Sequence, residues 1–224
     1  MLKNTRILIT GSESFLGKAV SKVLKERGAI ILTSPRHEVD FEDKQQTIAF
    51  FADCDPDYVI NLAGYNGGLK LNKEQPCEIF DRNLRMNLNI HLACSKFGVQ
   101  KLANILSSCA YGPAELLKEE EFDNSMPHPS VACHGLAKRA LYWNSKFYHQ
   151  EYGLNSINLC LTHIFGPEME CGENGKILGI LIKKIVDAKD DDDKEGKIKR
   201  IEYHSQLLNS IKRKVDNQEK RVYK

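Results

Sequence analysis

The sequence predicts an α/β fold built on a doubly wound parallel sheet, and three observations lead to this prediction. Apolar runs of strand length alternate with amphipathic runs of helix length over most of the 224 residues. A turn containing two glycines directly follows the first apolar run. With 42% hydrophobic residues and no apolar run long enough to cross a bilayer, the chain can bury one sizeable core.

The elements are expected in alternating order along the chain. "RILITG" is a continuous apolar run, as in a strand that is buried on both faces of a parallel sheet. "FLGKAVSKVLKERG" has the apolar spacing of an amphipathic helix, and Gly28 closes it. The same criteria predict strands at 6–11, 29–34, 57–64, 101–108 and 156–167, and helices at 15–28, 42–54, 77–97 and 133–152.

The composition changes at Asp187. "DAKDDDDKEGKIKR" is a charge run without apolar periodicity, and such a segment has little to bury. We therefore expect a dinucleotide-binding domain at 1–186 and a charged tail at 187–224, with room for one short helix around 201–215.

Charge and cysteine content argue against several classes of protein. The formal net charge is only +2, so the basic surface of a nucleic-acid-binding protein is not expected. Seven cysteines without a CxxC pair favour reduced thiols over a disulfide framework or a zinc site, and no metal site is predicted. The opening "MLKNTRILITG" lacks the apolar stretch of a signal peptide, so we expect a cytoplasmic protein that does not bind a membrane.

The turn "GSESFLG" has the spacing of a phosphate-binding loop. Gly11 follows the first strand and Gly17 opens the first helix, where a tight bend and close helix packing favour glycine. Ser14 occupies the middle position, and Phe15 and Leu16 complete the turn. We expect these residues to bind a dinucleotide, and the alternative is an ordinary glycine-bearing βα turn.

Arg36 stands after the second strand, where an NAD-binding protein often presents an acidic residue to the ribose. A guanidinium is suited to a 2′-phosphate, so the sequence favours NADP over NAD; a solvated surface arginine is the alternative. Ala63, in "NLAG" after the third strand, is expected to line the same cofactor site.

Together these motifs resemble the extended short-chain dehydrogenase/reductase family, also called the NAD-dependent epimerase/dehydratase family. The resemblance rests on the glycine turn, "RHEVDFED", "DPDYVINLAG", "SSCAYGP", the helix containing Lys138, and "THIFGP", and it spans about residues 5–185. Within that family the sequence is most similar to the GDP-L-fucose synthases. The resemblance implies a Rossmann fold, NADP, a nucleotide-sugar substrate that is a GDP-sugar, and a homodimer formed through helices 77–97 and 133–152.

The resemblance also implies roles for individual residues. Ser107 would polarise the sugar carbonyl, Lys138 would hold the nicotinamide ribose, and Cys109 would act in epimerisation. His134 stands where the family has a catalytic tyrosine, and it is the candidate acid at that position. The implied substrate contacts are Ser108, His163, Lys176 and Lys184.

Three functions are compatible with this pattern. The first is an NADP-dependent nucleotide-sugar epimerase/reductase that performs 3,5-epimerisation and 4-keto reduction of GDP-4-keto-6-deoxymannose. The second is a catalytically impaired homologue that binds dinucleotide as a sensor or partner subunit, and the third is a decayed product. Ser14, His134 and the expected truncation of the substrate lobe favour the last two, whereas "SSC" and Lys138 favour the first.

Overall fold

The computed structural model describes residues 2–114, 117–162, 164–166, 169 and 177–190. The chain forms two compact units, residues 1–164 and 165–224. The described strands of the first unit are β1 (Arg6–Thr10), β2 (Ile30–Ser34), β3 (Tyr58–Asn61), β4 (Lys101–Ser107) and β5 (Ser156–Leu161). Its described helices are α1 (Phe15–Glu26), α2 (Lys44–Cys54), α3 (Leu69–Glu74), α4 (Pro76–Lys96) and α5 (Ala132–Tyr152), and α6 (Ile177–Asp190) lies in the second unit.

The strands that the structure describes form one parallel sheet in the order β2-β1-β3-β4-β5. The chain starts in the interior of the sheet, adds β2 on one side, and then crosses to build β3, β4 and β5 on the other. Because crossover connections are right-handed, this reversal puts helices on both faces. The doubly wound parallel sheet expected from the sequence is confirmed.

The apolar run of β1 packs on both faces of the sheet. Ile7, Leu8 and Ile9 are all buried, and successive side chains of a strand point to opposite faces. Leu8 belongs to a cluster with Phe51 and Val59, whereas Ile7 and Ile9 belong to a separate cluster. The continuous apolar pattern of "RILIT" follows from this burial on two sides.

Element boundaries differ from expectation mainly at the carboxyl ends of strands. β3 ends at Asn61 and β5 at Leu161, earlier than predicted, and the described residues that follow each strand are not part of the sheet. The short helix α3 and the 3₁₀ turns at Ser108–Ala110, Glu119–Glu121 and Pro129–Val131 were not predicted. The predicted domain boundary at 187 stays a prediction, and the predicted helix at 201–215 lies outside the described residues.

A row of polar residues crosses the sheet near the carboxyl ends of its strands. Thr10 pairs in register with Ser34 on one side and Asn61 on the other, and Asn61 pairs with Asn104, which pairs with Asn158. The first four of these are buried. One polar residue at the same level of every described strand is costly unless each side chain is hydrogen-bonded.

Those hydrogen bonds are present. Thr10 Oγ1 donates to Asn61 Oδ1 (3.0 Å), and Asn61 Nδ2 donates to Asn87 Oδ1 on α4 (3.2 Å). His91 Nδ1 lies 2.8 Å from the Asn87 carbonyl oxygen and His91 Nε2 lies 3.4 Å from Asn104 Nδ2, an arrangement that fits an Nδ1–H tautomer. Burial lowers the pKa of His91 to about 4, so the imidazole is neutral at pH 7.

Candidate functional site

A cleft of about 460 Å³ opens at the carboxyl ends of β1, β2 and β3. This is the point where the strand order reverses, which is where open α/β sheets bind ligands. The lining residues come from the β1–α1 turn, from the loops after β2 and β3, and from α4. They are Gly11, Glu13, Ser14, Ser34, Arg36, Val39, Asp40, Phe41, Glu42, Leu62, Ala63, Gly64, Arg82 and Met86.

Both glycines of the β1–α1 turn are required by close packing. Gly11 has φ +67°, and a Cβ atom there would lie 2.9 Å from the Leu62 carbonyl oxygen. A Cβ atom at Gly17 would contact the Gly11 carbonyl oxygen and lie 2.7 Å from that of Ser12. A larger residue at either position would push the turn away from the loop after β3 or from α1.

Ser14 begins α1 and caps it. Its Oγ accepts a hydrogen bond from the Gly17 backbone N–H (3.1 Å), which satisfies one of the free donors at the helix N-terminus. The first turn of α1, which the structure describes in full, carries no acidic side chain. The helix N-terminus therefore presents backbone N–H groups and the positive end of its dipole to an anion, and the nearest acid in sequence, Glu13, precedes the cap and lines the cleft.

The hydroxyl of Thr10 holds the opposite edge of the turn. Its Oγ1 accepts hydrogen bonds from the backbone N–H groups of Leu62 and Ala63, each at 3.1 Å. The polar row of the sheet is thereby connected to the loop that presents Ala63 to the cleft.

Arg36 lines the cleft and is exposed, but the charge around it is mixed. Glu13, Asp40 and Glu42 line the same cleft, and Glu42 is paired with Arg82. The remaining charged residues are two acids and Arg36, so the cleft is less basic than Arg36 alone indicates. The sequence motifs did not identify these acids: Glu13 occupies a position of the glycine turn at which the motif accepts any residue, and Asp40 and Glu42 are distant from that turn in sequence.

A second group of predicted residues gathers where β4 ends beside α5. Ser107 Oγ accepts a hydrogen bond from the Cys109 backbone N–H (3.2 Å) and so caps the 3₁₀ turn that contains Ser108 and Cys109. A Cβ atom at Gly135 would contact the Cys109 carbonyl oxygen and lie 3.0 Å from its carbon. Gly135 therefore lets the start of α5, which carries His134, pack directly on this turn.

Lys138 lies one turn beyond His134 on α5, and both are buried. Lys138 Nζ donates a hydrogen bond to the Ile105 carbonyl oxygen of β4 at 2.7 Å. Burial lowers the pKa of Lys138 to about 8, so its ammonium loses its proton far more readily than that of a solvated lysine.

Arg139 of α5 binds the same turn, and it was not predicted as a site residue. Its Nε donates to the Ala110 carbonyl oxygen at 2.7 Å, its Nη1 donates to that of Asp123, and its Nη2 donates to that of Ser125. One guanidinium thus holds three backbone carbonyls of the segment that follows β4, an arrangement that no sequence motif announces.

The structure brings the predicted residues together in two groups. Gly11, Ser14, Arg36 and Ala63 line the cleft, while Phe15, Leu16 and Gly17 form the first turn of α1 beside it. Ser107, Ser108, Cys109, His134 and Lys138 gather at β4 and α5. Lys184 is exposed on α6 in the second unit, and His163 and Lys176 lie outside the described residues.

Two absences can be stated for the described part of the chain. Among those residues there is no cluster of three or more histidine, cysteine or acidic side chains arranged to hold a metal ion. No described helix combines the length and apolar character needed to cross a bilayer.

The parallel sheet, the glycine turn and the cleft at the point of strand reversal define a Rossmann-type protein. Residues 7–205 match the model of the NAD dependent epimerase/dehydratase family. The chain belongs to that family, as the sequence motifs predicted.

Known relatives and solved structures are consistent with this assignment. The GDP-L-fucose synthase of Dictyostelium discoideum is 30% identical over 166 residues, which are 72% of this chain and 52% of the relative. A GDP-mannoheptose C4 reductase from Campylobacter jejuni, solved with NADP bound, is 27% identical with a TM-score of 0.78, over 84% of this chain and 57% of that one. A GDP-L-fucose synthetase from Naegleria fowleri bound to NADP is 28% identical with a TM-score of 0.77, over 85% and 60%.

The chain spans about half the length of the Dictyostelium relative. The region that matches the family model, residues 7–205, contains both groups of predicted site residues that the structure describes, and the described sheet except for Arg6.

Proposed function

We propose that this protein is an NADP-dependent nucleotide-sugar epimerase/reductase that acts on a GDP-sugar, with GDP-4-keto-6-deoxymannose as the substrate to test first. The observation that carries the proposal is the joint presence of a phosphate-binding turn at the strand reversal and a Ser107–Cys109 turn packed against α5. The names of the relatives support the substrate class. A cytoplasmic location remains part of the proposal.

Each group of residues has a role in this proposal. NADPH would supply the hydride. The Ser107 hydroxyl, which accepts the Cys109 N–H, keeps its own hydrogen to donate to the sugar carbonyl oxygen. His134 would give that oxygen a proton as the carbonyl becomes an alcohol, and Lys138 would hold the nicotinamide ribose. Cys109, as its thiolate, would remove the proton from the carbon beside the keto group, and return of a proton to the opposite face of that carbon by a second acid would complete the epimerisation.

A second candidate is a homologue that binds dinucleotide without efficient turnover. The observation that favours it is the environment of Lys138, whose Nζ is engaged with the Ile105 carbonyl oxygen and whose pKa is lowered. A lysine held in that way beside a histidine provides a weaker acid relay than a lysine beside a tyrosine. The activity of the His134 variants, argued in the Discussion, separates the two candidates.

We expect the unmodified protein to bind NADPH more tightly than NADH, because Arg36 lines the cleft in the loop after β2, where the 2′-phosphate would bind. Arg36→Ala should remove that preference, at a cost of about 1.5–3 kcal/mol in NADPH binding and little change for NADH. Titration calorimetry with both cofactors measures it.

Glu13→Gln is the matched variant, because Glu13 lines the same cleft with the opposite charge. It should strengthen NADPH binding relative to NADH by removing a repulsion of the 2′-phosphate. Equal affinities for the two cofactors in the unmodified protein would contradict the NADP assignment.

The partner that we propose is a second copy of the chain, bound through α4 and α5. These helices pack against each other and leave large apolar side chains exposed: Leu88 is 50%, Trp143 44% and Phe147 57% exposed. Pairing of such helices between subunits would bury this surface.

Leu88→Glu and Phe147→Glu should each shift the protein to a monomer, because a buried carboxylate in the helix interface is costly. Sedimentation velocity measures the mass. Met126→Glu is the control, since Met126 is 65% exposed and lies outside both helices. A monomeric unmodified protein, or a dimer that survives both glutamates, would contradict this arrangement.

A further inference from the structure

Helix α4 holds both loops that form the walls of the cleft. Asn89 Nδ2 donates to the carbonyl oxygens of Phe41 (2.9 Å) and Glu42 (3.0 Å), in the loop after β2. Asn83 makes two hydrogen bonds with the backbone of Tyr65, in the loop after β3: its Oδ1 accepts from N–H at 3.1 Å, and its Nδ2 donates to the carbonyl oxygen at 2.7 Å. Both walls are therefore attached to one helix.

Arg82 of α4 joins the two walls directly. Its Nε lies 2.6 Å from Glu42 Oε1 on one wall, and its guanidinium carbon lies 4.1 Å from the centre of the Tyr65 ring on the other. Arg82 also lines the cleft. Arg85 reaches the second carboxylate oxygen of Glu42 at 3.5 Å, but it does not line the cleft.

The contacts of Arg82 differ from those of an ordinary surface ion pair. Exposed pairs contribute little because water screens them and the side chains lose entropy. The Glu42 side chain is only 17% exposed and that of Arg82 28% exposed. The guanidinium is held on one side by the short hydrogen bond to Glu42 and on the other by a cation–π contact with Tyr65, and these two contacts define its position.

We propose that Arg82 is a positioning residue that sets the width of the cleft where the adenosine half of the dinucleotide binds. The end of β2 is the place where Rossmann folds meet the adenosine ribose, and the loop that Arg82 holds through Glu42 follows β2. Tyr65 is the second anchor. This inference rests on the proposed dinucleotide binding, and it adds a residue that the glycine turn and Arg36 do not explain.

Arg82→Met tests the proposal, because methionine keeps much of the apolar length but provides neither the ion pair nor the cation–π contact. We expect it to weaken NADPH and adenosine 2′,5′-bisphosphate by the same factor, about tenfold, equivalent to about 1.4 kcal/mol. Equal losses are expected because the fragment carries only the adenosine half. Titration calorimetry gives both dissociation constants, and a thermal melt checks the fold.

Arg85→Met is the matched control. It removes the same charge from the same helix and also contacts Glu42, but Arg85 does not line the cleft or stack on Tyr65. It should keep both affinities within about twofold. If Arg82→Met does not fold, Arg82→Lys is used instead, with an expected loss of about threefold because the charge remains and the planar stack is lost.

A double-mutant cycle with Glu42→Gln tests the route of the effect. If Arg82 acts through Glu42, the double variant should lose less affinity than the sum of the two single losses. Full additivity would overturn the proposal, and so would native affinity in Arg82→Met or an equal loss in Arg85→Met.

Failure of the proposed function can be distinguished from failure of the Arg82 proposal. If the unmodified protein binds neither NADPH nor adenosine 2′,5′-bisphosphate, dinucleotide binding and this inference are both overturned. If the unmodified protein binds both ligands and only the Arg82 variants behave otherwise than expected, the inference alone is overturned.

Discussion

Asn61→Leu should lower the free energy of unfolding by about 2–4 kcal/mol, because leucine has a similar volume but cannot hydrogen-bond in the polar row of the sheet. Asn61 is buried at the carboxyl end of β3, where it accepts a hydrogen bond from Thr10 and donates one to Asn87. The substitution leaves those two buried partners without this contact. Urea unfolding at pH 7 measures the change, and an unaltered m-value would show that stability itself has fallen.

The same substitution should also weaken NADPH binding. Thr10 Oγ1 accepts the Leu62 and Ala63 N–H groups at the edge of the cleft, and its donor bond goes to Asn61. Asn155→Leu is the matched control, since Asn155 is exposed and should change stability by less than about 0.5 kcal/mol. Equal stability of the two variants would mean that the row contributes nothing beyond packing.

The fold was predictable because its signals are local. β1 is a run of apolar residues, α1 has an apolar stripe and a glycine after it, and each signal lies within a dozen residues. The glycine turn was predictable for the same reason, since the tight contacts of Gly11 and Gly17 follow from their place between a strand and a helix. Serine is also a preferred residue at a helix N-cap, so the capping role of Ser14 was predictable, although Ser14 was predicted only to bind the dinucleotide.

The features that were not predicted depend on the register of neighbouring strands and on contacts between residues that are far apart in the sequence. Thr10, Asn61 and Asn104 look like unrelated polar residues in apolar strands, and only the parallel register sets them side by side. The contact of Arg82 with Glu42 spans 40 residues and depends on how α4 crosses the sheet. No periodicity within a short window carries that information.

The sequence predicted which elements carry the candidate catalytic residues but not the contacts of those residues, and their catalytic roles stay predictions. The sequence placed Ser107 and Cys109 at the end of a strand and His134 and Lys138 on the following helix, and the structure has them at β4 and α5. It could not predict the hydrogen bond from Lys138 to Ile105, because burial in the folded sheet creates it. Because Lys138 is engaged in that hydrogen bond, proton transfer in the proposed reaction depends on the residue at position 134.

His134→Tyr should raise the reduction of GDP-4-keto-6-deoxymannose by NADPH at least about tenfold if position 134 has lost its natural acid. A phenol at 134 would lie one helical turn from Lys138, whose ammonium lowers the pKa of a neighbouring phenol and so makes it a better proton donor. Steady-state oxidation of NADPH, with analysis of the sugar product, measures the rate. His149→Tyr on the same helix is the control and should leave the rate unchanged.

If His134 itself is the working acid, the unmodified protein should already reduce the substrate readily, and the tyrosine variant should be no faster. His134→Phe should then abolish the rate, because phenylalanine keeps an aromatic ring but has no proton to give. Substantial activity in the unmodified protein that His134→Phe leaves intact would contradict both accounts. In that case the proton donor must be a different group, and Cys109 beside Gly135 would be the next residue to replace, because its turn packs directly on the start of α5.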